Sequence, residues 1–229
     1  MPIPRAKSPV ARRTLADEVY SHIYDAIIEG RLQPGEELND KEIGAQFGVS
    51  RTPVREALKK LSLYRLVEMV PSKYTRVALR DERRLIEASN TLYCLYLVAL
   101  REGIPAADSA TKARLTELLE QLRVGGVAGN YRVVGEKSYE YVWQLVEASG
   151  NDALQATLNR LVPQATMALA PRDNLTPAAE IWRGFEQVHA CVLEGDVAGA
   201  VGAMYELTAP AREQFLALAH AGGTATPAA

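Results

Sequence analysis

Apolar residues recur along residues 14–30 at Leu15, Val19, Ile23, Ala26 and Ile27, the three-and-four spacing of one helix face. Thr14, with Asp17 three positions on, has the form of a capping box at the start of that helix, and Gly30 ends it. Pro34-Gly35 predicts a turn into a short extended piece, Glu37-Leu38. Asn39 or Asp40 caps a second, shorter helix, in which Ile43, Ala45 and Phe47 are the candidates for packing. Gly48-Val49-Ser50 is a tight turn, with Ser50 placed to cap a third helix through its hydroxyl; Val54, Ala57, Leu58 and Leu61 form the buried stripe of that helix. The period then changes. Leu66 to Val70 alternates, Pro71 to Tyr74 reads as a turn, and Thr75 to Leu79 as a second strand, so a β-hairpin closes this part of the chain.

From Asp81 onward every pattern is helical. Residues 82–102 carry Leu85, Leu92, Tyr96 and Ala99 on one side, with Ile86, Tyr93, Leu97 and Leu100 alongside, until Pro105 interrupts. Residues 109–123 carry Leu115, Leu118, Leu119 and Leu122 and stop at Gly125-Gly126; residues 130–149 carry Val134, Tyr141, Val142, Leu145 and Val146 and stop at Gly150. Residues 152–170 carry Leu154, Leu158, Leu161 and Val162, with a kink expected at Pro163. Thr176 is the expected N-cap of the next helix, with Pro177 at its first position and Ile181, Trp182, Phe185, Val188 and Val192 on its buried side up to Gly195. Asp196 caps a last long helix with Ala200, Met204, Leu207, Phe215 and Leu218, bent near Pro210. About six helices of this length predict an antiparallel bundle. The fold class is therefore mainly α. Residues 14–79 form a three-helix head with a small hairpin and residues 80–220 a helical bundle, between a flexible basic arm at 1–13 and an unstructured tail at 221–229.

Charge changes the picture of the head. The net charge of −2 hides an asymmetry: residues 1–80 hold 14 Lys+Arg against 10 Asp+Glu, and the remainder 12 against 18. A basic first third on an acidic remainder fits a nucleic-acid-binding head on a body that avoids nucleic acid. Hydrophobic residues make up 48% of the chain, yet no apolar run reaches membrane-spanning length, so no membrane partner is expected. Cys94 and Cys191 lie far apart within helical patterns and read as buried thiols of a cytoplasmic protein.

Helix, glycine-bearing turn and helix within residues 41–61 form a helix-turn-helix. Arg51 and Arg55 are four apart on one face of its second helix, and Arg51 is in the first turn, from which side chains reach base edges in the major groove. Two arginines so placed suit bidentate recognition of guanine O6 and N7. The strings Leu32-Gln33-Pro34-Gly35-Glu36-Glu37-Leu38 and Gly48-Val49-Ser50-Arg51-Thr52-Pro53-Val54-Arg55-Glu56-Ala57-Leu58 resemble the winged helix-turn-helix of GntR-family bacterial transcription regulators, FadR branch. The resemblance covers residues 14–79. It implies base reading by Arg51 and Arg55, assistance from Lys41, and a hairpin that serves as the wing. Ser50, Thr52, Lys59, Lys73 and Thr75 complete the candidate DNA-binding set, mainly as phosphate contacts, with Arg76 beside them. Two positions depart from the family. Its glycine before the first wing strand is Arg65, and its wing-tip glycine is Tyr74, which cannot cheaply take a positive φ.

Glu147-Ala148-Ser149-Gly150-Asn151 and Gly195-Asp196 with the alanines after it resemble the all-helical effector domain of the same branch. Many of its members hold a divalent metal with one aspartate and three histidines. Counted from the two glycine landmarks, those positions fall on Ser138, Val142, Phe185 and Leu207, and an arginine that pairs with effector carboxylates falls on Ser89. Only Ser138 could ligate, and the bundle's histidines, His189 and His220, are too few to rebuild the set. No metal and no cofactor are expected. A metal-free effector pocket would be lined by Ser89, Tyr93, Ser138, Val142, Phe185 and Leu207.

The resemblance implies a ligand-responsive repressor that binds a pseudo-palindromic operator as a homodimer. The other reading is a constitutive DNA-binding regulator whose bundle only dimerises. An enzyme has no support: there is no histidine–carboxylate cluster, no nucleophile beside a base and no glycine-rich phosphate loop.

Overall fold

The computed structural model describes residues 14–168 and 176–222, so the expected arm at 1–13 and all but the first two residues of the expected tail lie outside the described residues, as do the side chains of Leu218 and His220. The chain divides into two compact units, Met1–Arg80 and Asp81–Ala229. The first contains α1 (Leu15–Ile28), α2 (Asp40–Phe47), α3 (Arg51–Leu63), β1 (Val67–Val70) and β2 (Tyr74–Val77). The second contains α4 (Glu82–Gly103), α5 (Ser109–Val127), α6 (Tyr131–Ser149), α7 (Asp152–Ala168), α8 (Ala178–Glu194), α9 (Val197–Leu207) and α10 (Ala209–Gly222). The mainly α architecture with one antiparallel hairpin is the one the periodicity predicts.

In the head, α1 packs along α3, and the Thr14–Asp17 capping box is formed in both directions. Val19, Ile23, Ala26 and Ile27 are buried against Val54, Ala57, Leu58 and Leu61. Leu15 departs from the expected stripe: in the first turn it overhangs the helix pair and is 57% exposed. Asn39, not Asp40, caps α2, its side-chain oxygen accepting from the Lys41 and Glu42 amides. Within α2, Ala45 is exposed, and the residue that closes the helix-turn-helix is Gly44. A Cβ on Gly44 would lie 2.9 Å from the Val49 carbonyl oxygen, so only glycine lets the two helices approach this closely.

The expected hydroxyl cap of α3 is absent. Ser50 has the extended backbone of an N-cap, yet its side chain makes no capping bond. A capping oxygen takes the N–H of the second or third helical residue, and the third here is Pro53, which has none. The hairpin pairs Val67 with Val77 and Val70 with Tyr74, a residue earlier at the start of β2 than expected, and the Glu36–Leu38 segment lies along its edge through Leu38 N–H to Thr75 O (2.8 Å) and Val77 N–H to Glu36 O (2.8 Å). Tyr74 escapes strain because it lies in β2. The positive φ falls instead on Ser72 (59°), after Pro71, with Lys73 N–H closing on Val70 O at 3.1 Å; proline followed by a positive φ is the type II turn signature.

In the bundle, α4 packs against α6, α7, α9 and α10, while α5 packs between α6 and α8, and α8 against α9. Asp81, Asp108, Asn130 and Asp196 cap α4, α5, α6 and α9 with their side chains. Helix α7 continues as one helix with Pro163 inside it. Two expectations shift. Pro177, not Thr176, occupies the N-cap position of α8, and no side chain caps it. The last long helix is divided into α9 and α10 at Thr208, whose hydroxyl turns back to the Met204 carbonyl (2.9 Å) two residues before Pro210. Cys94 also departs from expectation: it lies on the outer face of α4 and is exposed, and both cysteines are free.

Candidate nucleic-acid interface and bundle cavity

The N-terminal turns of α2 and α3 meet at one acidic residue. Arg51, in the first turn of α3, donates from Nε to Asp40 Oδ1 and from Nη2 to Asp40 Oδ2, both at 3.0 Å. Arg55, one turn on, brings Nη1 to 3.8 Å from the same carboxylate. The two guanidiniums are 63% and 57% exposed, whereas Asp40 is only 19% exposed, so the carboxylate lies inside and the two cations outside. The hydrogen bond from Arg51 to Asp40 raises the guanidinium's pKa further, so this charge is permanent.

Lys41, Ser50, Thr52 and Lys59 are exposed around these arginines. An open concavity of about 660 Å³ runs from α3 to the hairpin, with Arg55, Lys59, Lys73 and Thr75 among its walls. Lys73 is exposed at the hairpin turn, and Thr75 is half-buried with its carbonyl committed to Leu38. Arg76 is already engaged: Nε donates to Glu68 Oε2 at 2.9 Å, and the guanidinium lies 4.4 Å from the Tyr74 ring centre. Of the predicted set, Lys41, Ser50, Arg51, Thr52, Arg55, Lys59 and Lys73 are exposed; pattern reading misses Asp40. Its signal is an acid in the first turn of one helix with an arginine in the first turn of the next.

In the bundle, α4, α6, α7 and α8 line a partly open cavity of about 70 Å³. Leu92, Val134, Val162 and Ile181 line it with Tyr93, Tyr96, Tyr131 and Tyr139, and Ser138 is among its polar residues. The Ser138 hydroxyl is buried without a hydrogen-bond partner. Burial raises the pKa of both Tyr93 and Tyr96, so their phenols stay neutral. Of the six residues expected to line a pocket, only Tyr93 and Ser138 do so. Ser89 turns its hydroxyl back to the Leu85 carbonyl (2.9 Å), Val142 and Phe185 are core residues at 0% and 3% exposure, and Leu207 fills the space over Gly184. Tyr96, Tyr131 and Ile181 have no sequence signal separating them from ordinary core.

Val142, Phe185 and Leu207 offer no donor atom, and among the described residues no three His, Cys, Asp or Glu side chains converge. His189 is buried with both nitrogens engaged, Nδ1 at 2.9 Å from Tyr141 Oη and Nε2 at 3.2 Å from Thr116 Oγ1. Thr116 donates its own proton to the Lys112 carbonyl (3.0 Å), so it accepts from His189 Nε2–H, and Nδ1 accepts from Tyr141. The imidazole is thus a neutral core group, and its burial lowers its pKa.

The comparisons with known proteins agree with this division. The profile "Bacterial regulatory proteins, gntR family" matches residues 15–77 and the profile "FCD domain" residues 95–209. The chain belongs to the GntR family. This GntR regulator is 28% identical to the HTH-type transcriptional regulator Mce2R of Mycobacterium tuberculosis, over 93% of this chain and 96% of that protein. It is 31% identical to the probable D-xylose utilization operon transcriptional repressor of Paenarthrobacter nicotinovorans, over 73% and 74% respectively. Its fold resembles that of E. coli McbR/YncC at a TM-score of 0.72, covering 92% of this chain and 99% of that one at 22% identity. The GntR regulator is a DNA-binding transcription regulator and not an enzyme. Among its described residues, no helix is long and apolar enough to cross a membrane.

Proposed function

We propose that this regulator is a cytoplasmic homodimeric repressor that binds a pseudo-palindromic operator and is released by a small uncharged effector held in the bundle cavity. The observation that supports base reading is the pair of exposed guanidiniums in the first two turns of α3. The first turn of such a helix is the part that meets base edges, and a two-fold protein matches a two-fold site. Lys41, Thr52, Lys59 and Lys73 act on phosphates and set position without reading sequence.

The effector reading rests on the cavity. Among its described lining residues no side chain is ionised, and the Ser138 hydroxyl is buried there without a hydrogen-bond partner. Such a site favours a neutral ligand with a hydrogen-bonding group, because a buried charge without a counter-ion is strongly disfavoured. At about 70 Å³ it takes only a few heavy atoms as it stands. A larger ligand must part α4, α6 or α7, which couples occupancy to bundle geometry.

The test starts with selection of the operator from a randomised duplex library by the full-length protein. Arg51→Ala should then lower discrimination at one base pair of each half-site by roughly tenfold or more, leaving weak, salt-sensitive binding. Unchanged specificity in this variant would falsify the assignment of α3. Thermal melting with a panel of neutral compounds should raise the midpoint for an effector and leave Ser138→Val unmoved.

A further inference from the structure

We propose that Asp40 is a positioning residue for base recognition: it holds the Arg51 guanidinium by one edge and so presents the opposite edge to a guanine. This rests on the reading that Arg51 contacts bases. The geometry is specific. Arg51 commits Nε and one N–H of Nη2 to the carboxylate, at 3.0 Å each. A guanidinium has five N–H donors in a rigid fork. The edge left over consists of Nη1, which makes no hydrogen bond among the described residues, and the outward N–H of Nη2. Those two parallel donors match guanine O6 and N7.

Three further features favour a brace over an incidental surface pair. Asp40 is the first residue of α2, its position fixed by the Asn39 cap, and it is mostly covered at 19% exposure, so it does not swing as a free side chain would. Arg51 has no partner other than Asp40 among the described residues, so without it a long, 63% exposed side chain would sample many rotamers. Arg55 approaches the same carboxylate at 3.8 Å, so one acid sets the spacing of two like charges that would otherwise repel. A carboxylate near DNA is unfavourable by itself. Here it is covered by two cations, and the cluster faces outward with a net positive charge.

The opposite role would be competition, in which Asp40 must release Arg51 before DNA can bind. The two roles differ in sign. Immobilising a flexible side chain at the moment of binding lowers affinity by about two- to tenfold, so a brace that does this beforehand should contribute that much to discrimination. The experiment measures full-length wild type, Asp40→Asn, Arg51→Ala and the double variant on the selected operator and on duplexes changed at single base pairs. Asp40→Asn should lower discrimination by about two- to tenfold at the one base pair that Arg51→Ala affects, and nowhere else. It should also bind non-specific duplex more tightly, because a negative charge is gone. In the double variant the Asp40 substitution should change discrimination no further. Asp40→Asn that binds the operator more tightly with equal or sharper discrimination would overturn the proposal and establish competition. Loss spread evenly over all base pairs would also overturn it, since that is what damage to α2 does. If Arg51→Ala itself leaves discrimination intact, the base-reading assignment fails instead, and the two failures are distinct.

Discussion

The head and the bundle advertise their sites in opposite ways. In the head the proposed DNA-contacting groups are charged, exposed and tied to helix ends: Arg51 and Arg55 on α3, with Lys41 and Lys59 around them. Charge on a helix face is usually only solvated, but two arginines four apart at the start of the second helix of a helix-turn-helix mark the surface by residue type and spacing. In the bundle the cavity is walled by Leu92, Tyr96, Val134 and Ile181, the same kinds of residue that fill the core at Leu145, Leu158 and Val188. Helical periodicity says which face is buried and nothing about where packing leaves a gap. A polar interface is written in single residues; an apolar cavity is what remains after all the others have packed.

The largest effects should come from testing whether the two regions are separate units of stability. Leu61 is fully buried in the head, and Leu61→Ala should remove about 2–5 kcal/mol, much of what a domain of this size has. Operator binding should disappear at temperatures where the far-UV helical signal of the bundle persists. A single transition that moves as a whole would break the comparison, showing that the regions fold as one. In the bundle, Gly103 passes directly over the Leu145 carbonyl where α4 meets α6. Gly103→Ala should destabilise the bundle by about 1–3 kcal/mol through overpacking, read as a lower midpoint of the bundle's transition with the head's unchanged.

Most of the fold is legible in the sequence because its signals are local. Thr14 with Asp17, the Asn39 cap and the glycine stops at Gly150 and Gly195 each act within one turn of chain, and the structure places helix ends at all of them. What pattern reading loses depends on a second element. Ala45 carries an apolar side chain yet is exposed, while Gly44 is buried because the Val49 carbonyl comes up against it. Asp40 looks like an ordinary first-turn acid until α3 brings Arg51 against it across eleven residues of sequence. Counting along helices leads to Ser89, Val142, Phe185 and Leu207, but helix rotation and packing direct them away from the cavity that Tyr93 and Ser138 line.

The Tyr141–His189–Thr116 chain sharpens the bundle side of the comparison, since it is the polar network inside an otherwise apolar core. Tyr141→Phe leaves His189 Nδ1 buried without a donor and should destabilise by about 1–3 kcal/mol. The network also sets a pH dependence. Burial lowers the His189 pKa from 6.5, so the unfolded chain binds the proton more readily. The contribution is therefore complete above about pH 6.5 and is lost as pH falls through the window below it. Denaturant unfolding from pH 7.5 to 5 should show this loss, and His189→Gln should flatten that part of the profile. A profile identical to wild type would mean the imidazole is not held neutral.

The smallest effect concerns the head, at the place where the chain departs from its family. The end of α3 has the Schellman pattern: Leu66 N–H bonds Leu61 O at 3.0 Å, Arg65 N–H bonds Ser62 O at 3.0 Å, and Leu61 and Leu66 are both fully buried. The pattern requires a left-handed residue at position 65, and Arg65 adopts it with φ 57°. A residue with a Cβ is disfavoured there by about 1–2 kcal/mol, and glycine returns part of that gain through its freer unfolded chain. Arg65→Gly should therefore stabilise the head by about 0.5–1 kcal/mol, with operator discrimination unaltered. The backbone thus keeps the family's turn although the residue does not, which is why position 65 misleads a reader of sequence and not a reader of hydrogen bonds. Should Arg65→Gly weaken the head instead, the arginine side chain contributes more than its backbone strain removes, and the departure at this position is a gain made by the side chain.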